Sequence, residues 1–212
     1  MDRITAAKNL RLAEDIEKEF DIDENVKKAI ASINRELFVP SGLRQHAFKL
    51  DALPISGKQF ISSPLTVAKM TQYLFLHKVD SVLEIGCGSG YQAAVLSKLV
   101  RRVCTIERID VLLREANERF RTLGVHNIFT KSSDGQEGWK SYAPYDRILF
   151  SASPTEIPQA LIDQLKPDGM IVAPMQIGNE QIITRFTKEG NSLKSEAIEA
   201  CEFVPVRDGV ER

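Results

Sequence analysis

Apolar positions in the first forty residues recur at helical spacing. Leu10, Leu12, Ala13, Ile16 and Phe20 fall on one face, and Val26, Ala29, Ile30 and Ile33 form a second such face. Asp23 stands where it can cap the second helix, which must end before Pro40. Residues 41–63 hold no clean period and are punctuated by Pro54, Gly57 and Ser62–Ser63. A long irregular segment inside a compact domain is often functional, and composition alone does not separate that from a surface connector.

After residue 63 the rhythm changes. Ser63-Pro64 opens a helix to about His77, a capping residue followed by proline at the first position. Short apolar runs then alternate with helical patterns. Strands are expected at Val82–Ile85, Arg102–Ile106, Asn127–Lys131, Asp146–Ser151 and Met170–Pro174, and helices at Tyr91–Leu99, Asp110–Leu123 and Ile157–Leu165. Two more strands, Gln181–Thr187 and Glu199–Val206, close the chain without a helix between them. Alternating strand and helix predicts parallel βαβ units. The expected fold is therefore doubly wound α/β (Rossmann-like). Its seven-stranded sheet is mostly parallel with an antiparallel C-terminal edge pair, under an N-terminal helical cap. One domain is expected over residues 1–212, with 1–63 as helices and a substrate-side segment and 64–212 as the α/β core.

Composition agrees with a globular protein: 43% of the 212 residues are hydrophobic and 27% charged. Lys and Arg number 28 against 29 Asp and Glu, a formal charge of −1, so nothing supports a global electrostatic grip on nucleic acid. Cys87, Cys104 and Cys201 stand far apart with no CxxC, which predicts neither a disulfide framework nor a zinc site and fits a reducing cytoplasm. Residues 1–20 lack the apolar core of a secretory signal, and no run reaches the length of a membrane span.

The candidate chemistry sits where such sheets bind ligands, beyond the carboxyl ends of the strands. Gly86, Gly88 and Gly90 read GxGxG, not the GxGxxG of dinucleotide sites, and Glu84 precedes them by two positions. A carboxylate there repels a pyrophosphate and suits a cationic ligand. Glu107 ends the next strand, 17 positions after Gly90, where it can accept from both hydroxyls of a ribose. Together these point to a positively charged nucleoside, and S-adenosyl-L-methionine fits. Asp134-Gly135 follows the third strand and could meet an adenine amino group. Taken alone, an ordinary Asp-Gly turn is the better reading.

At this point the chain resembles the protein-L-isoaspartate O-methyltransferases. The likeness is carried by VLEIGCGSGYQAAVLSKLV at 82–100, IER at 106–108, SDGQEGW at 133–139 and APYDRILFSASPTEIPQALIDQLKPDGMIVAPM at 143–175. LFVP at 37–40, LPI at 53–55, QFISSPLTVAKMTQYL at 59–74 and FVPV at 203–206 follow the same order. The resemblance implies a class I fold and methyl transfer from S-adenosyl-L-methionine, leaving S-adenosyl-L-homocysteine. The acceptor would be the carboxylate of L-isoaspartyl residues in damaged proteins, with repair through a succinimide. It implies a monomer, with no metal, nucleic acid or membrane partner. By the same resemblance Glu84, Gly86, Gly88 and Gly90 shape the methionine pocket. Glu107 holds the ribose, Asp134 and Gly135 face the adenine, and Gln181 lies near the cofactor. Ser62 takes the place of the active-site serine. Gln59, Phe60 and Ile61 lie on the substrate side, as does the strand carrying Val204 and Pro205. The chain departs from the family pattern at Lys58 for glycine, Phe60 for threonine and Leu50 for aspartate.

No Ser/His/Asp or Cys/His set suggests itself; His46, His77 and His126 are scattered. The expected reaction needs none. A carboxylate is ionised at neutral pH, its pKa being about 4, and a sulfonium is a good leaving group. Alignment alone can lower a barrier by about 7–11 kcal/mol. Ser62 is thus expected to orient the acceptor, or else merely to cap the helix that begins beside it. Cys87 reads as a small residue in a tight turn and Trp139 as core. Two other functions stay open on sequence: a same-fold methyltransferase for another carboxylate or small molecule, and a non-catalytic cofactor- and partner-binding module.

Overall fold

A computed structural model describes residues 2–190 and 192–212. The N-terminal helices are α1 (Arg3–Glu19) and α2 (Glu24–Ala31). Asp2 caps α1 by accepting from the Ile4 and Thr5 amides, whereas Asp23 precedes α2 without any side-chain cap bond. Its amide instead donates to Gln72 at 2.7 Å, tying the helical cap to the core. Leu12, Ala13, Ile16, Ala29 and Ile30 are buried, but Leu10 is half exposed. α2 stops at Ser32, earlier than its apolar spacing suggests, and a 3-10 turn over Arg35–Phe38 takes Ile33 and Phe38 into the core.

The segment without a period contains a small hairpin. Strands β1 (Leu53–Ile55) and β2 (Gln59–Ile61) pair antiparallel, Leu53 opposite Ile61. Three-residue strands are too short to print an alternation. Helix α3 (Pro64–Tyr73) follows, with the Ser63 hydroxyl accepting from the Thr66 amide at 3.0 Å. It ends four residues before His77 because Phe75 and Lys78 take positive φ, which no helix accommodates.

The sheet comprises β3 (Ser81–Ile85), β4 (Arg102–Glu107), β5 (Ile128–Ser132), β6 (Tyr145–Phe150), β7 (Leu165–Ile177), β8 (Glu180–Glu189) and β9 (Ser192–Cys201). Its order is β5-β4-β3-β6-β7-β8-β9. The first five of these pair in parallel, and β8 and β9 add antiparallel at one edge. Helices α4 (Tyr91–Leu96), α5 (Asp110–Thr122) and α6 (Gln159–Asp163) join the parallel strands. Because β4 lies on one side of β3 and β6 on the other, the sheet switches direction at the carboxyl end of β3. β3 is buried along its whole length, as a strand covered on both faces must be.

Several boundaries differ from the sequence reading. Asp110 is the first residue of α5 rather than its cap, and its carboxylate accepts from the Ser132 hydroxyl. α4 is three residues shorter than expected, because the Lys98 and Leu99 amides donate to carbonyls only three residues back. The largest change is at the end. The last strand is Ser192–Cys201, not Glu199–Val206, because pairing with β8 extends it backward. Val204 and Pro205 lie beyond it, in a segment held beside the sheet by parallel bridges to Ser153 and Ile109.

Candidate active site

The chain leaves β3 through Gly86, Gly88 and Gly90, at φ of 93°, 52° and 89°. L side chains rarely adopt such angles. At Gly90 space is also lacking: an added Cβ would lie 2.7 Å from Phe120 and 3.2 Å from Ala116, so glycine lets α4 start against α5. At Gly86 and Gly88 the same atom would meet nothing closer than 3.6 and 4.0 Å, and both residues face open cavity. Backbone there can approach a ligand.

The turn is bound to the next strand. The Gly86 and Cys87 amides donate to the Ile106 carbonyl, and the Gly88 amide donates to Glu107 Oε2 at 2.8 Å. The other oxygen of Glu107 accepts from the Ile109 amide at 2.9 Å. Burial pushes the Glu107 carboxyl up, while the Gly88 and Ile109 amides work against that rise. Each oxygen keeps lone-pair capacity toward the cavity.

Glu84 is fully buried. It accepts from the Thr105 hydroxyl at 2.6 Å and the Ser151 hydroxyl at 3.0 Å. Burial raises its carboxyl to about 8, against the two hydroxyl bonds, with Glu107 adding to the rise. A cation nearby would favour the ionised form. Cys87 is buried in the same turn and its thiol is pushed well up by burial, the opposite of an activated nucleophile.

Two contiguous cavities meet at this turn. One is an open cleft of about 460 Å³ walled by Ile61, Ser62, Glu84, Tyr91 and Phe203. The other is an open cleft of about 650 Å³ lined by Glu107, Ile109, Leu112 and Gly135, by Val204, Pro205 and Val206, and by Gln59. Phe60, Gly86, Gly88 and Ser151 border both. Thus the β1–β2 hairpin, the glycine turn and the segment after β9 converge, although they are far apart in sequence. Phe60 is 56% exposed at the seam. Lys58 is exposed in the hairpin turn at φ 54° and borders neither cavity.

Other residues singled out in the sequence take different places. Ser63, not Ser62, caps α3, so the capping alternative for Ser62 does not hold. Asp134 is absent from both cavity walls. Its oxygens accept from the Gln136 amide at 2.9 Å and the Gly209 amide at 2.8 Å, fastening the C-terminal segment. Gly135 does border the cavity, packed so tightly that a Cβ would sit 2.5 Å from Ile85. Gln181 faces a separate cavity and clamps the Phe203 backbone, accepting from its amide at 2.6 Å and donating to its carbonyl at 3.1 Å. It reaches the site only through Phe203. His77 and His126 are exposed and His46 half-buried, all outside these walls. Trp139 is half-buried, edge-on to Tyr142. Among the described residues no group of three or more His, Cys, Asp or Glu side chains is placed to hold a metal ion.

The sequence reading missed Ser151, Tyr91 and Phe203, which line the first cavity. Of the strap formed by residues 204–211 it named only Val204 and Pro205, through the FVPV stretch. The residues after Val206 carry no motif, and only the tertiary fold brings the strap to the glycine turn.

The residues fit a sulfonium nucleoside. Glu84 is a buried acid at one end, Glu107 an acceptor for a diol, and Ile106, Ile109, Leu112 and Val206 give an apolar slot for a flat ring. This sheet order with this turn is that of the class I S-adenosylmethionine-dependent methyltransferases.

The sequence profile described as Protein-L-isoaspartate(D-aspartate) O-methyltransferase matches residues 7–211. A Helicobacter pylori (strain P12) protein-L-isoaspartate O-methyltransferase is 55% identical over 209 residues, 98% of this chain and 100% of its own length. The protein of that name from Shewanella piezotolerans is 43% identical over 99% of both chains. A solved protein-L-isoaspartate O-methyltransferase superposes with a TM-score of 0.87 at 26% identity, covering 94% of this chain and 66% of that longer one. A candidate protein-L-isoaspartate O-methyltransferase from Plasmodium falciparum, crystallised with S-adenosyl-L-homocysteine, shares the fold at TM-score 0.84 and 19% identity, over 95% of this chain and 99% of that one. The chain belongs to the protein-L-isoaspartate O-methyltransferase family.

Proposed function

We infer that this protein transfers a methyl group from S-adenosyl-L-methionine to the carboxylate of L-isoaspartyl residues in damaged proteins. Membership of the family supports this reading. The structural observation that carries it is that the two cavities adjoin, sharing Gly86, Gly88 and Ser151 as walls. One chamber ends at Ser62 and the other at Glu107, so a cofactor bound along the glycine turn would abut an acceptor on the Ser62 side.

When bound, the cofactor supplies an electrophilic methyl group on a cationic sulfur. The chain supplies placement. Glu107 accepts from the ribose hydroxyls while holding the glycine turn. Glu84 sets negative charge beneath the amino-acid portion. Gly86, Gly88 and Gly90 let the backbone come close, and Gly135 with the Ile109 and Val206 side chains flanks the base. Ser62 donates a hydrogen bond that turns one acceptor oxygen toward the methyl group, and Gln59, Phe60, Ile61, Val204 and Pro205 border the peptide. No side chain needs to take a proton, since the acceptor is ionised at neutral pH.

The ester product is expected to cyclise to a succinimide through the peptide's own backbone amide, and hydrolysis then returns some normal aspartate. The protein is expected to act as a single domain and a monomer in the cytoplasm, without nucleic acid or membrane partners. Among the described residues no helix is long and apolar enough to cross a membrane.

The test is transfer of labelled methyl groups to two matched peptides. Base-labile labelling of the L-isoaspartyl peptide but not the L-aspartyl one is expected. Equal labelling of both, or labelling of neither with cofactor bound, would refute the assignment.

A further inference from the structure

Arg35 is the one charged side chain among the largest fully buried groups, with no measurable exposure. It lies in the 3-10 turn after α2, outside every motif that marks the site. Its Nη2 donates to the Ser62 carbonyl at 2.7 Å. Its guanidinium lies 4.5 Å from the centre of the Tyr91 ring, which Phe38 braces edge-on at 5.3 Å. Among the described residues Nε and Nη1 make no well-formed hydrogen bond, and the polar interaction of the Tyr91 hydroxyl is with the guanidinium itself. None of the salt bridges among the described residues includes Arg35.

Burying a cation without a carboxylate is costly even after relaxation. The cation–π contact offsets part of that cost. A fold that needed only volume here could use an apolar side chain. Ser62 and Tyr91, the two groups Arg35 touches, both wall the first cavity, at the end opposed to Glu107. The connected cavities are therefore electrically polarised: an uncompensated cation stands behind the Ser62 end, and Glu84 and Glu107 stand along the glycine turn. An anionic acceptor at the Ser62 end and a cationic donor at the turn would each meet the complementary field, and low surrounding polarity lengthens its reach.

We propose that Arg35 is the positioning residue for the acceptor: it fixes the Ser62 backbone and supplies the positive field that selects an ionised carboxylate. It acts through Ser62 and Tyr91 and does not border the cavity itself. The inference rests on the methyl-transfer reading above and deepens it.

The full-length protein and its Arg35→Met and Arg35→Lys variants test this. S-adenosyl-L-homocysteine affinity is read by calorimetry, and kcat and KM with an L-isoaspartyl peptide. Inhibition by two unreactive probes is compared: one peptide carries a sulfonate at the acceptor position, the other a neutral carboxamide. The wild type is expected to prefer the anionic probe at least tenfold. Arg35→Met is expected to keep product affinity within about twofold, lose that preference and lower kcat/KM about a hundredfold. Arg35→Lys is expected to restore the preference while kcat stays reduced, since an ammonium keeps the charge but not the planar fork. A merely structural role would not separate anionic from neutral probes. An unchanged preference in Arg35→Met overturns the proposal, as does a parallel loss of product affinity. Should Arg35→Met not fold, loss of the anionic preference in Arg35→Lys overturns it and retention supports it. A wild type that methylates no isoaspartyl peptide refutes both this proposal and the function it rests on, whereas failure confined to the variants refutes only the role of Arg35.

Discussion

The Gly88 amide donates to the Glu107 carboxylate at 2.8 Å, which makes the glycine turn and the end of the neighbouring strand one unit. Removing Glu107 therefore has two effects. Glu107→Ala takes away the diol acceptor and frees the Gly88 and Ile109 amides. Hydrogen bonds to charged groups contribute about 1.5–3 kcal/mol each, so the dissociation constant for S-adenosyl-L-homocysteine should rise at least tenfold. Calorimetry reads this directly, and unchanged affinity would sink the assignment.

Ser62 borders the cavity while Ser63 holds the helix cap. Ser62→Ala should accordingly leave stability within about 0.5 kcal/mol and cofactor affinity within twofold. A misaligned acceptor can slow transfer by about a hundredfold, so kcat should fall substantially. Urea unfolding and single-turnover kinetics separate the two. Ser63→Ala should do the reverse, costing about 1 kcal/mol of stability.

Glu84 titrates in the folded protein at about 8, above the ordinary 4.5. The folded state then holds more protons than the unfolded one between those values. This contribution to stability is fully present below about 4.5, declines as pH rises, and is gone above about 8, with a slope of at most about 1.4 kcal/mol per pH unit. Urea titrations from pH 5 to 8.5 should show Glu84→Gln gaining on the wild type as pH rises. A sulfonium ligand should also release a proton from Glu84 near pH 7. Its binding enthalpy should then vary with the buffer's ionisation heat in the wild type and less in Glu84→Gln.

Gly90→Ala combines a left-handed backbone with a Cβ 2.7 Å from Phe120. The backbone costs about 1–2 kcal/mol and overpacking about 1–3 kcal/mol. Unfolding free energy should fall by about 2–5 kcal/mol. Adding Phe120→Leu should recover the packing part only. A double variant no better than the single one would place the whole cost in the backbone.

The strap beyond β9 is held from two loops. Gly209 donates to Asp134, Gln136 donates to Asp208 at 2.6 Å, and Glu211 exchanges backbone bonds with Arg108 and Asp110. Deleting residues 208–212 should leave the core intact but loosen the wall of the larger cavity. Faster S-adenosyl-L-homocysteine dissociation, by about tenfold or more, is expected in stopped flow with an unchanged unfolding midpoint. Unaltered dissociation would show that the strap does not confine the cofactor.

Much of this protein was legible in one dimension. The alternation of apolar runs with helical faces specified the parallel strands and the switch point after Ile85, because periodicity is a local property of the chain. Gly86, Gly88 and Gly90 announced a turn through left-handed angles, and Glu107 lay at the end of the next strand as its spacing implied. Those features depend on neighbours in sequence. Tertiary structure decided the rest. The extents of β7, β8 and β9 follow from antiparallel pairing, which recruits residues with little strand pattern of their own. Asp134 was diverted to Gly209, and Gln181 to Phe203. Arg35 met Ser62 across 27 positions. A buried charge cannot be told from a surface one by its letter; only the packing of the helical cap on the sheet removes it from water.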